Sequence, residues 1–154
     1  MNMNTKTISP MAVLLLAVAM LLTVSSCGSM KKNTTANEIT GKYWKLIELN
    51  GKKIEWTEDT KREPHIILKA DNKVNGHGGC NGFHGSFEMQ AGNRIKFSQV
   101  ASTLMACLNM EIEDQFFKSL SEVDNYTISE DGKYLSLNKA KMSPLARFEV
   151  VYLR

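Results

Sequence analysis

The fold is decided by the run NGHGGCNGFHG at residues 75–85 together with STLMAC at residues 102–107. Five glycines in the first run permit positive φ angles and close backbone approach. The first run therefore predicts a tight, irregular corner between strands and not regular sheet. The second run brings Cys107 up just before a predicted helix, so a bond from Cys107 to Cys80 would hold the helix start against the corner.

The three cysteines divide unevenly, since Cys27 follows an apolar segment whereas Cys80 and Cys107 lie deep in the chain. An even pair in an exported domain is most simply interpreted as one disulfide. In the loop-entropy model a Cys80–Cys107 crosslink contributes about 3 to 4 kcal/mol to stability. The remaining cysteine, Cys27, needs an explanation of its own.

An export signal precedes Cys27. The segment from Met11 to Val24 is almost continuously apolar, but it is shorter than the roughly 20 residues that span a bilayer and has the length of a signal-peptide core. The run Val24-Ser25-Ser26-Cys27 resembles a bacterial lipobox. That resemblance implies cleavage after a signal peptide at residues 1–26 and lipidation of Cys27. An ordinary signal peptide with a fortuitous cysteine is the alternative.

A flexible tether is predicted between the lipid and the domain. Residues 27–39 comprise the lipidated cysteine and a polar stretch without apolar periodicity, and about 11 such residues reach roughly 18 Å. More than one acyl chain makes anchoring stable. Gly28 and Ser29 lack the aspartate that often retains lipoproteins at the inner membrane, so we expect a lipid-anchored protein of the cell envelope, on the outer membrane and facing the periplasm.

Residues 40–154 form the predicted domain, in which short β-branched and aromatic segments alternate with turn signals such as Asn50-Gly51. One helix is predicted between Met110 and Val123, with Asn109 as its N-cap and its acidic residues on a solvated face. These patterns favour a mainly β (α+β) class, an antiparallel curled sheet or barrel-like domain with one covering helix. The predicted strands are 43–49, 53–56, 65–70, 73–77, 85–89, 94–98, 126–129, 133–138 and 147–153.

These residues resemble the META domain, or HslJ-like, family over essentially the whole of residues 40–154. The family motif is Gly79, Cys80, Asn81, Phe83, Gly85, Thr103, Met105, Ala106 and Cys107, and the match further includes Trp44, Leu46, Gly51, Gly76, Glu113, Phe116 and Leu120. The resemblance implies an envelope lipoprotein with a compact β-rich domain and a role in envelope stress or antibiotic tolerance. It supplies no catalytic residue or ligand.

The first run also contains residue types that bind zinc or act as nucleophiles, but the pattern favours neither role. His77, Cys80 and His84 could be zinc ligands, since imidazole and thiolate bind zinc, but no fourth ligand is evident. Cys80 could be a nucleophile beside His77 or His84, but the oxidising compartment and the matching Cys107 argue against a thiolate. We therefore expect no catalytic residues, no metal and no cofactor, and a protein that is not an enzyme.

The net charge of the chain limits the classes of partner that the protein can bind. The formal charge of +3 includes Lys6 in the export segment, so the mature part is close to neutral with both signs interspersed. Nucleic-acid binding, which needs a clustered positive field, is not expected. A monomeric interaction module for an unknown envelope protein is favoured. The alternative is a carrier that holds a small apolar ligand inside the curled sheet.

Overall fold

The computed structural model describes residues 38–55, 62–140 and 143–152. All the described residues belong to one compact unit, Asn33–Arg154. The predicted signal peptide, Cys27 and the tether as far as residue 37 lie outside the described residues. Within the described part, no helix is long and apolar enough to cross a bilayer.

Antiparallel strands dominate the described residues, which confirms the predicted class. The strands are β1 Tyr43–Leu49, β2 Lys52–Lys53, β3 His65–Leu68, β4 Lys73–His77, β5 Gly82–Gln90, β6 Arg94–Ser102, β7 Asn125–Ile128, β8 Tyr134–Asn138 and β9 Ala146–Val151. One helix, α1, spans Glu111–Glu122 between β6 and β7. All nine predicted strands are present: β1 and β4 have the predicted bounds, and each of the others has at least one end shifted by one to four residues.

The sheet is ring-like because its first long strand pairs with its last. The strand order is β2-β1-β3-β4-β5-β6-β7-β8-β9, and β1 also pairs with β9 in the register Trp44↔Val150. Tight turns join the hairpins, and Asn50 (φ 50°) and Gly51 (φ 78°) turn β1 into β2 as the sequence predicts. Closure leaves few unpaired strand edges, which limits edge-to-edge association.

The ring has two ends, which we name by what lies there. The motif end carries the β1–β2 turn, the β4–β5 corner at residues 78–81 and the segment at residues 103–110. The entry end carries the β3–β4, β5–β6 and β7–β8 turns and Gly41, whose N–H donates to Leu68 O at 2.8 Å. The chain therefore enters the ring at the end opposite the family motif.

Aromatic and aliphatic side chains fill the interior of the ring. Trp44, Phe87, Phe116, Tyr126 and Phe148 are among the largest fully buried side chains. They belong to one continuous apolar cluster, which gains stability mainly from removal of apolar surface from water. The interior described here is thus a packed core.

The N-terminal boundary of the domain lies before the predicted Thr40. Glu38 and Ile39 are helical, and Ile39 is completely buried in the core. The indole Nε1 of Trp44 donates to Ile39 O at 2.8 Å, which satisfies the one polar atom of the tryptophan. Ile39 is therefore part of the folded domain and not of the tether.

Helix α1 covers the motif end with its apolar stripe. Phe116 and Leu120 are buried, and the Phe116 ring packs against Phe148 at a centroid distance of 5.9 Å. The N-cap residue is Met110, not the predicted Asn109. Asn109, one position before Met110, still helps to cap the helix, because its Oδ1 accepts the Glu111 N–H at 3.1 Å.

The predicted irregular corner is shorter than residues 75–85, since strand pairing continues through Gly76 in β4 and Gly85 in β5. A Cβ at Gly76 would collide with His65 O and the Phe83 ring, and one at Gly85 would lie 3.0 Å from Ser98 O. These glycines are required by close backbone approach inside regular strands and not by a turn.

Candidate functional site

The corner between β4 and β5 is a buried, hydrogen-bonded turn. Gly78 N–H donates to Asn81 O at 2.8 Å, and Gly79 has a φ of 123°, a conformation that favours glycine. Residues 78–81 are all buried. The polar groups of this corner must therefore find partners within the protein.

Asn81 is the centre of the hydrogen bonds at the motif end. Its Oδ1 accepts from Thr103 Oγ1 at 2.7 Å and from Met105 N–H at 2.8 Å. Its Nδ2 donates to Met105 O at 3.0 Å and to Glu113 Oε1 at 2.7 Å. These four bonds use the whole hydrogen-bonding capacity of the side-chain amide, which explains how Asn81 is tolerated at 2% exposure.

Glu113 ties the helix to the same corner. Its Oε2 accepts the backbone N–H of Cys80 at 2.9 Å and that of Asn81 at 2.6 Å. Such bonds to a carboxylate are stronger than bonds between neutral groups. A Cβ at Gly78 would lie 2.6 Å from Glu113 Cγ, so glycine is needed there for the carboxylate to reach the corner.

The disulfide joins two of these segments, the β4–β5 corner and the segment after β6. Cys80 and Cys107 are bonded, with their Cα atoms 6.1 Å apart, within the range that disulfide geometry allows and consistent with the sequence prediction. We call the set Cys80, Asn81, Thr103, Met105, Cys107 and Glu113 the motif latch. It binds the β4–β5 corner, the segment after β6 and the start of α1 into one unit.

The other four motif residues lie in the corner, in β5 and beside the disulfide. Gly79 lies in the corner, and Gly85 lies where β5 approaches β6. Phe83 is buried, and its ring contacts Phe117 edge-on at a centroid distance of 5.2 Å. Ala106 is exposed beside the disulfide.

The sequence pattern predicts that the acidic residues of the helix, Glu113 among them, lie on a solvated face. For Glu113 that prediction is wrong. Glu113 is only 3% exposed. A signal was present, because Glu113 precedes Phe116 by three positions and Leu120 by seven, which places all three on one stripe of the helix. A carboxylate on an apolar stripe indicates a buried acceptor role.

The histidines do not converge with Cys80 as a zinc site would require. His77 Nδ1 accepts Gly79 N–H at 3.2 Å, while His84 is exposed on the neighbouring strand opposite Asn75. His77 instead stacks towards His65 at a centroid distance of 6.4 Å. The sulfur of Cys80 is used in the disulfide, and among the described residues no three His, Cys, Asp or Glu side chains are grouped to hold a metal ion.

Stability is expected to depend on pH through His77. Burial lowers the pKa of His77, the charges of Arg62 and His65 lower it further, and Glu113 opposes them. A depressed histidine pKa contributes stability above the unfolded-state pKa of about 6.5, and this contribution is lost as pH falls, because the unfolded chain binds the proton more readily. Urea unfolding between pH about 7.5 and about 5.5 should therefore show a larger loss of stability for wild type than for His77→Gln. Identical pH dependence in both proteins would contradict this assignment.

The ring of antiparallel strands, the covering helix and the latch define a small disulfide-linked β domain. Residues 37–152 match the META domain model, and the chain belongs to the META domain family. Comparison with curated proteins gives no match.

Solved structures share the fold at low sequence identity. A Burkholderia xenovorans protein solved by NMR is 18% identical with a TM-score of 0.61, covering 77% of this chain and 87% of that one. A second NMR structure is 20% identical with a TM-score of 0.58, covering 74% and 92%. A DUF4847 family crystal structure from Bacteroides vulgatus is 12% identical with a TM-score of 0.54, covering 75% and 96%. These similarities show the fold alone.

Proposed function

We propose that this chain is an envelope lipoprotein whose META domain is a non-catalytic interaction module. One observation carries the second half of the proposal: the polar motif groups are used to hold three segments together. Asn81 makes four bonds within the latch, Glu113 accepts three, and Cys80 is in a disulfide. A site built for reaction would instead direct such groups at a space where a substrate could lie.

The packed interior favours a surface role over that of a carrier. Large buried side chains such as Trp44, Phe87 and Tyr126 occupy the ring. A recess of about 450 Å³ between the β1–β2 turn and the helix is lined by the polar side chains Asn50, Gln115, Lys118, Ser119 and Glu122. Ligand pockets are usually lined mainly by apolar side chains, so this recess does not support apolar ligand binding.

The anchoring half of the proposal is supported by the lipobox-like run Val24-Ser25-Ser26-Cys27. A lipid on Cys27 would hold the domain near its membrane, on the outer membrane and facing the periplasm in this proposal. A role in envelope stress or antibiotic tolerance is the biological context that the family resemblance suggests. The partner in this proposal is an envelope protein met at the membrane surface.

Replacing Cys27 tests both halves in intact cells. Labelled palmitate should enter wild type and the control Ser26→Ala, which keeps a small residue before the cysteine, but not Cys27→Ala. An amine-reactive crosslinker should capture the same envelope protein with wild type and with Ser26→Ala, and lose it with Cys27→Ala. Equal label in Cys27→Ala would disprove anchoring through this cysteine, and absence of any captured protein with wild type would contradict the interaction module.

A further inference from the structure

Exposed large apolar side chains are concentrated in one short segment at the motif end. Of the five large hydrophobic residues exposed in the described part of the chain, Val100, Leu104, Met105 and Leu108 lie within residues 100–108. Leu104 is 97% exposed and Leu108 is 104% exposed. Exposed apolar residues scattered singly are ordinary, but a cluster marks an interaction surface. We call residues 100–108, which are the end of β6 and the segment after it, the apolar loop.

The motif latch holds the apolar loop in one conformation. Met105 is bonded to Asn81 through both its N–H and its C=O. Thr103 N–H donates to Gly82 O at 3.1 Å, and Cys107 is joined to Cys80. Leu104 and Leu108 thus project from a segment that is fixed at three points between and beside them. A loop ordered in advance loses little conformational freedom on binding, which favours affinity.

The charges around the loop restrict what can cover it. Residues 97–110 contain no charged side chain, and the sequence has no Lys or Arg between Lys96 and Lys118. The first charges after the loop are carboxylates, of which Glu111 and Asp114 are exposed at the start of α1. An anionic lipid surface would be repelled by these carboxylates, and a second copy of the loop would bring like charges together.

The apolar loop lies at the end of the ring far from the point where the chain enters. The chain enters at the opposite end, where Ile39 is buried and Gly41 pairs with Leu68. The predicted tether is attached at the entry end and leaves the apolar loop free to meet a partner. The charges around the loop favour a protein as that partner.

We infer that the apolar loop is the docking surface of this module, and that its partner is a protein with an apolar pocket rimmed by Lys or Arg side chains. The inference rests on the proposed interaction function and deepens it by naming the surface and the chemistry of the partner. Leu104 and Leu108 enter the pocket, while Glu111 and Asp114 face the basic rim.

Site-specific photocrosslinking of the full-length protein in intact cells tests this surface. A benzoyl-phenylalanine probe is placed at Leu104 or at Leu108. Matched control probes replace Tyr152, exposed near the entry end, and His84, exposed on the outer face of β5. The expected result is capture of one protein from both loop positions, at a yield at least about tenfold above either control, with the crosslinked partner peptide containing apolar and basic residues.

Charge neutralisation gives the second arm of the experiment. Glu111→Gln with Asp114→Asn should reduce capture from the Leu104 probe about tenfold, whereas Glu88→Gln with Glu130→Gln, two exposed acids elsewhere, should leave it unchanged. Capture of lipid or of a second copy, equal capture from Tyr152, or no effect of neutralisation would overturn the inference. If the amine-reactive crosslinker still captures a partner when the loop probes do not, the docking surface is wrong and the interaction function stands.

Discussion

Replacing Cys80 and Cys107 together by serine is expected to lower the free energy of unfolding by about 3.5 kcal/mol. The bond closes a loop with a sequence separation of 27 residues, so its removal frees a long segment of the unfolded chain. Because a typical domain is stable by only about 5 to 15 kcal/mol, this is a large share. The thermal midpoint should fall by about 10 to 20 °C in scanning calorimetry, while the β-rich circular dichroism persists at low temperature.

Ala106→Ser is the matched control for the cysteine pair, because it introduces a hydroxyl at the exposed neighbour of Cys107 and leaves the disulfide intact. Its midpoint should stay within about 2 °C of wild type. Reduction of the wild-type protein should reproduce the effect of the double substitution. If the double variant has the same thermal midpoint as Ala106→Ser, the bond contributes little to stability and hydrogen bonding alone holds the latch.

Removing the Glu113 carboxylate is expected to destabilise the domain by about 3 kcal/mol or more. In Glu113→Ala the backbone N–H groups of Cys80 and Asn81 lose their acceptor, and Asn81 Nδ2 loses one of its two. All three donors lie in a buried corner, where an unsatisfied donor costs about 1 to 3 kcal/mol. Urea unfolding at neutral pH measures the loss.

Asp114→Ala is the control for this substitution, since Asp114 is the adjacent acid in the first helical turn but is exposed. It should change stability by about 0.5 kcal/mol or less. The loss of stability in Glu113→Gln should lie between these two values. The glutamine amide keeps one acceptor oxygen, but its NH₂ group faces a donor where the carboxylate had a second acceptor. Equal stability of Glu113→Ala and Asp114→Ala would contradict the role assigned to the carboxylate.

Local patterns in the sequence predicted much of the strand layout. The bounds of β1 at Tyr43–Leu49 and of β4 at Lys73–His77 agree with the prediction, because turn residues mark where these strands end. The start of β5 was placed at Gly85 but lies at Gly82. Glycine permits both a turn and close backbone approach, and only the neighbouring strand decides between them. The pairing of β1 with β9 depends on long-range register, which a local pattern does not carry.

The latch could be predicted only in part, for a related reason. The Cys80–Cys107 pair follows from cysteine count, but the role of Asn81 depends on partners between 22 and 32 positions away in sequence. An asparagine in a glycine-rich run is typical of a turn, where its side chain bonds locally. The burial of Asn81 becomes visible only when the segments carrying Thr103, Met105 and Glu113 are brought around it.

Amide hydrogen exchange tests most directly whether the family motif acts as one latch that fixes the apolar loop. In wild type the amides of Cys80, Asn81 and Met105 should be among the slowest to exchange. In Glu113→Ala, exchange at all three amides should become faster by a larger factor than exchange at core amides such as that of Trp44. Met105 is the decisive one, because its N–H donates to Asn81 and not to Glu113. If exchange becomes faster only at Cys80 and Asn81, and the Met105 amide changes no more than the core amides, the contacts are independent and the loop is not held through Glu113.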